Sequence, residues 1–155
     1  MRAAAALIAC MLCGSCGRDD GELTLRMWAM GREGEIAPQL LAGFEREHPG
    51  VHVVVQQLPW TSAHEKLLTA CVGDATPDLA QLGNTWLPEL AALGALAPLD
   101  GEIARSPTVR AADYFAGIWA TNEVDGVIYG VPWYVDTRLI FYRRDLFAGG
   151  WFAGP

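Results

Sequence analysis

The chain has 155 residues, 52% of them hydrophobic and 19% charged, with a net charge of −7. That balance belongs to a globular chain of ordinary domain size and excludes an intrinsically disordered one. The acidic excess argues against a nucleic-acid partner and against electrostatic binding to an anionic membrane surface.

The first segment reads as an export signal. Arg2 is its only charge, Ala3 to Leu12 is an apolar run, and Gly14-Ser15 precede Cys16. This is the n-region, h-region and cleavage layout of a secretory signal. The run is shorter than the ~20 residues that cross a bilayer. A small residue just before a cysteine also resembles a bacterial lipoprotein signal, in which the cysteine is acylated and becomes the first mature residue. Cys16 is the preferred site, although Cys13 stands where such signals usually carry leucine. Leu7-Ile8-Ala9-Cys10 fits the pattern better but leaves a very short signal, and plain cleavage without lipidation is the simpler alternative. On the preferred reading, residues 1–15 are removed and residues 16–22 form a charged tether. The net charge then falls from −7 to −8 with the loss of Arg2. Cys71 becomes the one thiol besides the acylated one, and reads as a small buried hydrophobe.

Leu23 to Ala29 alternates and is β-prone, predicting a first strand. Gly31 and Gly34 break it, and Ile36, Leu40, Leu41 and Phe44 follow helical spacing until Pro49-Gly50. Val51 to Gln57 is a second strand, with Val53-Val54-Val55 predicting burial on both faces. Ala63 to Val72 is a helix capped by Thr61 or Ser62. Gly73 to Asp78 is a turn, Leu79 to Leu82 a short third strand and Leu87 to Leu93 a third helix. Leu96 to Asp100 leads into a loop, and Ala111 to Thr121 is a fourth helix. Asp125-Gly126 turns a hairpin between Glu123-Val124 and Val127 to Tyr129. Pro132 then holds Val131 extended. Leu139 to Tyr142 is apolar and β-prone, and Asp145 reads as a helix N-cap or turn residue.

The β-α-β-α-β-α order predicts an α/β domain with a parallel sheet, which binds ligands at the carboxyl ends of its strands. The residues there are Trp28 with Met30, Trp60, and Asn84 with Trp86. Trp133-Tyr134 follow the hairpin, with Asp136 and Arg138 on the same extended segment. Tryptophan is poorly placed in a wet loop without a partner, so three at strand ends point to an aromatic-lined cleft rather than three local core caps.

Five segments in order resemble the sugar-type extracellular solute-binding proteins of ATP-driven importers (solute-binding family 1). Phe44 to Val53 is similar to that family's "FE-x-x-x-PGV-x-V" step, and Gly73 to Leu82 to its "G-x-x-PD" turn. Leu93 to Asp100 is similar to "GAL-x-PLD", Gly126 to Pro132 to the "G-x-x-YGVP" hairpin, and Tyr142 to Phe147 to "YR-x-DL". The resemblance implies a periplasmic-binding-protein-like (type II) fold of two α/β lobes closing on a ligand. Residues 23–130 would form the first part of the N-terminal lobe, and residues 131–155 the hinge crossing and the start of the second lobe. The stop at Trp151 to Pro155, amid hydrophobic residues, reads as a truncation. The implied protein is a monomer that captures a sugar or oligosaccharide, is tethered to the membrane through lipidated Cys16 and hands its ligand to the transmembrane subunits of an ABC permease, with no cofactor and no metal. Trp28, Trp60, Asn84, Trp86, Trp133, Tyr134, Asp136 and Arg138 are the candidate ligand contacts.

Catalytic readings are weaker. His48 and His52 are separated by Pro49-Gly50, which breaks the helix that would align them. His64-Glu65 lacks the second histidine of a zinc helix. A carboxylate pair drawn from Asp78, Asp100 and Asp136 would make a secreted carbohydrate-active enzyme the alternative. A remnant without independent function is a third reading.

Overall fold

The computed structural model describes residues 22–148. The signal, Cys16 and the tether up to residue 21 lie outside the described residues, as do Trp151 and Phe152. The described residues divide into two compact units, one up to Gln81 and one from Leu82 onward.

In the first unit, β1 (Leu23–Met30) pairs in parallel with β2 (Val51–Leu58) along its whole length, from Leu23 opposite Val51 to Met30 opposite Leu58. The short β3 (Leu79–Ala80) joins the other side of β1, giving the order β2-β1-β3. The central strand supplies the core, with Trp28, Ala29 and Met30 buried. Helix α1 (Gly31–Glu47) packs on β1 and β2, and α2 (Trp60–Val72) follows β2.

Gly31 ends the first strand as the sequence suggests, but Gly34 has no part in that break, since β1 has already stopped at Met30. Gly31, at φ +53°, is the first residue of α1 and turns the chain out of β1. Gly34 lies buried inside the helix, because a Cβ there would stand 2.9 Å from the Ala29 carbonyl oxygen and 2.7 Å from Gln57 Cγ. It is present for close approach of helix to sheet. Val54 is exposed while Val53 is buried, so β2 is not covered on both faces. Among the described residues β2 is an edge strand, like β3, and successive side chains point to opposite faces. Neither Thr61 nor Ser62 caps α2. The helix starts at Trp60, and the extended Pro59 closes its first turn by accepting the Ser62 N–H through its carbonyl at 3.2 Å. Cys71 is a free thiol, half-buried rather than buried.

In the second unit, a 3₁₀ turn (Asn84–Trp86) runs into α3 (Leu87–Ala92), whose Leu87 and Leu90 are core residues. The predicted loop after Leu99 is α4 (Asp100–Arg105). Acidic Asp100 and Glu102 sit in its first turn, where the helix dipole favours them, and Glu102 meets Arg105 at 2.6 Å. The predicted helix over 111–121 is broken. Ala111–Asp113 is a 3₁₀ turn, Tyr114 and Phe115 are extended, and α5 covers only Ala116–Ala120. Arg110 grips Asp113 through two bonds of 2.8 and 3.1 Å, which favours the local turn over continued helix. The hairpin of β4 (Glu123–Val124) and β5 (Val127–Ile128) forms as expected, with Asp125 at φ +51° and Gly126 at φ +81°. Leu139 to Tyr142 is not a strand, and Ile140 is 94% exposed. Among the described residues, its β propensity has no ladder partner to act through. Asp145 lies inside the first turn of α6 (Arg144–Ala148) rather than capping it. There it bonds the Arg143 guanidinium, which holds its carboxyl below the usual carboxylate range.

Candidate functional site: an aromatic groove and a tryptophan at the sheet edge

Three carboxylates in the family-like motifs work as backbone acceptors. Glu45 Oε1 takes the Val53 N–H at 2.7 Å and lies 2.9 Å from His52 Nδ1, tying α1 to β2. Asp78 Oδ2 takes the Arg26 N–H at 2.7 Å, and its own N–H reaches the Arg26 carbonyl at 2.9 Å. Asp100 Oδ2 takes the Ile128 N–H at 3.2 Å, beside a 2.7 Å bond from the Leu99 N–H to the Ile128 carbonyl. Asp78 and Asp100 therefore hold turns to strands and make no general acid–base pair.

At the carboxyl edge of the sheet, Gln81 is buried. Its Oε1 accepts the Met30 N–H at 2.7 Å, and its own N–H donates to the Trp28 carbonyl at 2.8 Å. These bonds pin the end of β1 where the chain turns into α1. Trp60 begins α2 directly after β2, and its indole lies over that turn, with Nε1 3.2 Å from where a Gly31 Cβ would stand. Its ring is 40% exposed. Trp28 differs: it is 8% exposed, and the Lys66 ammonium stands 4.9 Å from its ring centroid. That geometry is core packing under a cation–π lid.

The second unit holds a groove of about 430 Å³. Asp113, Tyr114, Phe115 and Ile118 form one side, and the stretch from Pro132 to Val135 forms the other. Trp133 and Tyr134 are each 49% exposed and meet edge to face at 6.3 Å. Tyr114 leans on Trp119 at 5.2 Å, while Phe115 is 77% exposed. Asp113 brings a carboxylate already paired with Arg110. The groove thus joins two of the sequence candidates, Trp133 and Tyr134, to Tyr114 and Phe115, which sequence reading missed. The predicted helix over 111–121 took in Tyr114, Phe115, Ile118 and Trp119 alike, whereas the chain is extended at Tyr114 and Phe115 and Phe115 is exposed. Asp136 and Arg138 lie on the same extended segment beyond the groove lining, exposed and 3.9 Å apart. Asn84 is exposed and Trp86 half-buried on the 3₁₀ turn, where the Trp86 ring packs over Gly83.

Aromatic faces beside a few fixed polar groups suit a ligand that carries both CH faces and hydroxyls. Among the described residues, no three His, Cys, Asp or Glu side chains gather as metal ligands, and no helix is long and apolar enough to cross a membrane.

A parallel α/β sheet with aromatics beyond its strand ends defines an α/β ligand-binding protein. Residues 29–154 match the model of the bacterial extracellular solute-binding protein family, and the chain belongs to that family. Its fold is part of the type II periplasmic-binding architecture. The sugar-binding protein MalE from Xanthomonas citri is 56% identical with a TM-score of 0.73, over 84% of this chain and 33% of that one. The GacH receptor of Streptomyces glaucescens, solved unliganded and with acarbose, is 33% identical with a TM-score of 0.63, over 70% of this chain and 28% of that one. Among curated relatives, the diacetylchitobiose binding protein DasA of Streptomyces coelicolor is 28% identical over 92% of this chain and 35% of its own length. An uncharacterized lipoprotein of Streptomyces antibioticus is 30% identical over 81% of this chain and 28% of its own. The chain spans 28–35% of the curated relatives it matches. Members of this family bind solutes rather than transform them, which sets aside the secreted-enzyme alternative.

Proposed function

We propose that this chain is the ligand-capturing part of a substrate-binding lipoprotein that takes up a sugar or oligosaccharide outside the cytoplasmic membrane and passes it to an ABC permease. The observation that carries this reading is the groove in which Trp133 and Tyr134 face Tyr114 and Phe115. Sugar CH faces stack on such rings, while hydroxyls pair with side chains of the Asn84, Asp136 and Arg138 type. Trp60 and Trp86 supply further ring surface, and Trp28 supports the sheet from within its packing. Residues 23–130 belong to the first lobe and residues 131–155 to the crossing into the second. Lobe closure then excludes water, so those hydrogen bonds become harder to replace. Acylation of Cys16 keeps the protein at the outer face of the membrane. The named ligands of similar proteins, acarbose and diacetylchitobiose, support the ligand class.

The test is a protein-observed NMR titration of the chain with acarbose and with diacetylchitobiose at millimolar concentration. Shifts should map to residues 112–118 and 131–136. Trp133→Ala should weaken binding by roughly 1–3 kcal/mol, about 5- to 150-fold. Hydrolysis of either glycoside by the purified chain would refute the reading.

A further inference from the structure

The two sides of the groove come from segments before and after the β4–β5 hairpin, and the hairpin itself does not line it. What sets one side against the other is the closure at the hairpin's base. Asn122 sits there, 7% exposed, and with Gln81 it is one of two buried polar side chains among the described core residues. Its backbone N–H donates to the Trp119 carbonyl at 3.0 Å, and its Nδ2 donates to the Ile118 carbonyl at 2.9 Å. Its own carbonyl accepts the Tyr129 N–H at 2.9 Å. One residue therefore holds the C-terminal end of α5 and the first residue beyond β5.

Gly130 completes the closure. A Cβ there would stand 2.6 Å from Asn122 Oδ1 and 3.6 Å from Leu87 Cδ2. Its φ is not among the positive values, so glycine is needed for space and not for backbone conformation. The Asn122 amide occupies the volume a side chain at 130 would take. The Pro132 to Val135 side of the groove begins two residues further on.

We propose that Asn122 is a positioning residue for the groove: seated against Gly130, its amide sets the spacing between Phe115 with Ile118 and Trp133 with Tyr134. The proposal rests on the reading of this groove as a sugar site. It touches no ligand itself and acts through the two segments it joins.

The experiment uses the whole chain and the variants Asn122→Ala, Asn122→Ser, Gly130→Ala and Asn122→Ala/Gly130→Ala. Acarbose affinity is measured by NMR titration at a temperature where circular dichroism shows each variant folded. Amide hydrogen exchange is measured without sugar. Gly130→Ala and Asn122→Ala should each weaken binding about tenfold, the order of loss for one misplaced buried hydrogen bond. Exchange should quicken at Val131, Trp133 and Tyr134 more than in α3. The double variant should bind more tightly than Gly130→Ala alone, because removing the amide makes room for the new methyl group. A role confined to stability would lower the melting temperature but leave affinity within about twofold in every folded variant, and that result overturns the proposal. If Asn122→Ala does not fold, Asn122→Ser, which keeps a donor, carries the same comparison. If wild type binds no sugar, the sugar reading falls. The exchange pattern and its relief in the double variant then decide the positioning role by themselves.

Discussion

Replacing glycine by alanine at two positions of α1 should change stability in opposite directions. In an exposed helix the substitution gains about 1 kcal/mol of helix propensity. Gly43 is half-buried but has room for the methyl group, since a Cβ there meets only Arg46 Nη2 at 3.8 Å. At Gly34 the same methyl would lie 2.9 Å from the Ala29 carbonyl oxygen and 2.7 Å from Gln57 Cγ. Moving the sheet to make room is difficult, because Ala29 is 0% exposed in the central strand. Gln57 is tied as well, with Nε2 donating to the Gly31 carbonyl at 2.7 Å and to Glu35 Oε1 at 3.1 Å. Overpacking of this kind costs about 1–3 kcal/mol, and the immovable backbone oxygen places it near the top of that range. Displacing the Gln57 amide costs about 1 kcal/mol more. Against the propensity gain, Gly34→Ala should lose a net ~2–3 kcal/mol, whereas Gly43→Ala should gain ~0.5–1 kcal/mol. With a urea slope of about 2 kcal/mol per molar, the midpoints should move by roughly −1 to −1.5 M and +0.3 to +0.5 M. The assay is urea unfolding followed by far-UV circular dichroism. Gly34→Ala/Gln57→Ala should recover only part of the loss if the Ala29 carbonyl is the main obstacle. Shifts of the same sign at Gly34 and Gly43 would refute the account of how α1 seats on the sheet.

Gln81→Ala should lower the urea midpoint by an amount equivalent to about 1–3 kcal/mol, because it leaves the buried Met30 N–H without its 2.7 Å partner. An unchanged midpoint would mean that this N–H finds another acceptor. Cys16→Ser should move the expressed protein from the membrane to the soluble fraction, since stable anchoring rests on acyl chains that each contribute ~0.8 kcal/mol per buried CH₂. Retention of the variant in the membrane would show that the anchor lies elsewhere.

The parallel α/β plan was legible because its signals are local and periodic. Val51 to Leu58 and Leu23 to Met30 carry strand-forming patterns, and Asp125-Gly126 carries the two positive φ values that a tight hairpin requires. Family-like motifs were legible for the same reason, as short runs in order, and the carboxylates Glu45, Asp78 and Asp100 within them prove to hold strand and turn backbones. Other features depended on what lies nearby in space. Gly34 reads as one of two glycines that break the first strand until the Ala29 carbonyl is seen beneath it. Leu139 to Tyr142 reads as a strand, yet a ladder needs a neighbour that composition cannot supply. Trp28 and Trp60 both read as tryptophans at strand ends, but Trp28 lies inside β1 under Lys66, while Trp60 lies beyond β2 and is 40% exposed beside Gly31. The groove depended most on tertiary structure. Trp133 and Tyr134 stood out as exposed-type aromatics, whereas Phe115 joined them only because the chain leaves helix at Tyr114 and Asn122 ties α5 to the hairpin. Spacing along a chain determines which residues share a helix or strand face, but which faces meet is decided by contacts between residues distant in sequence.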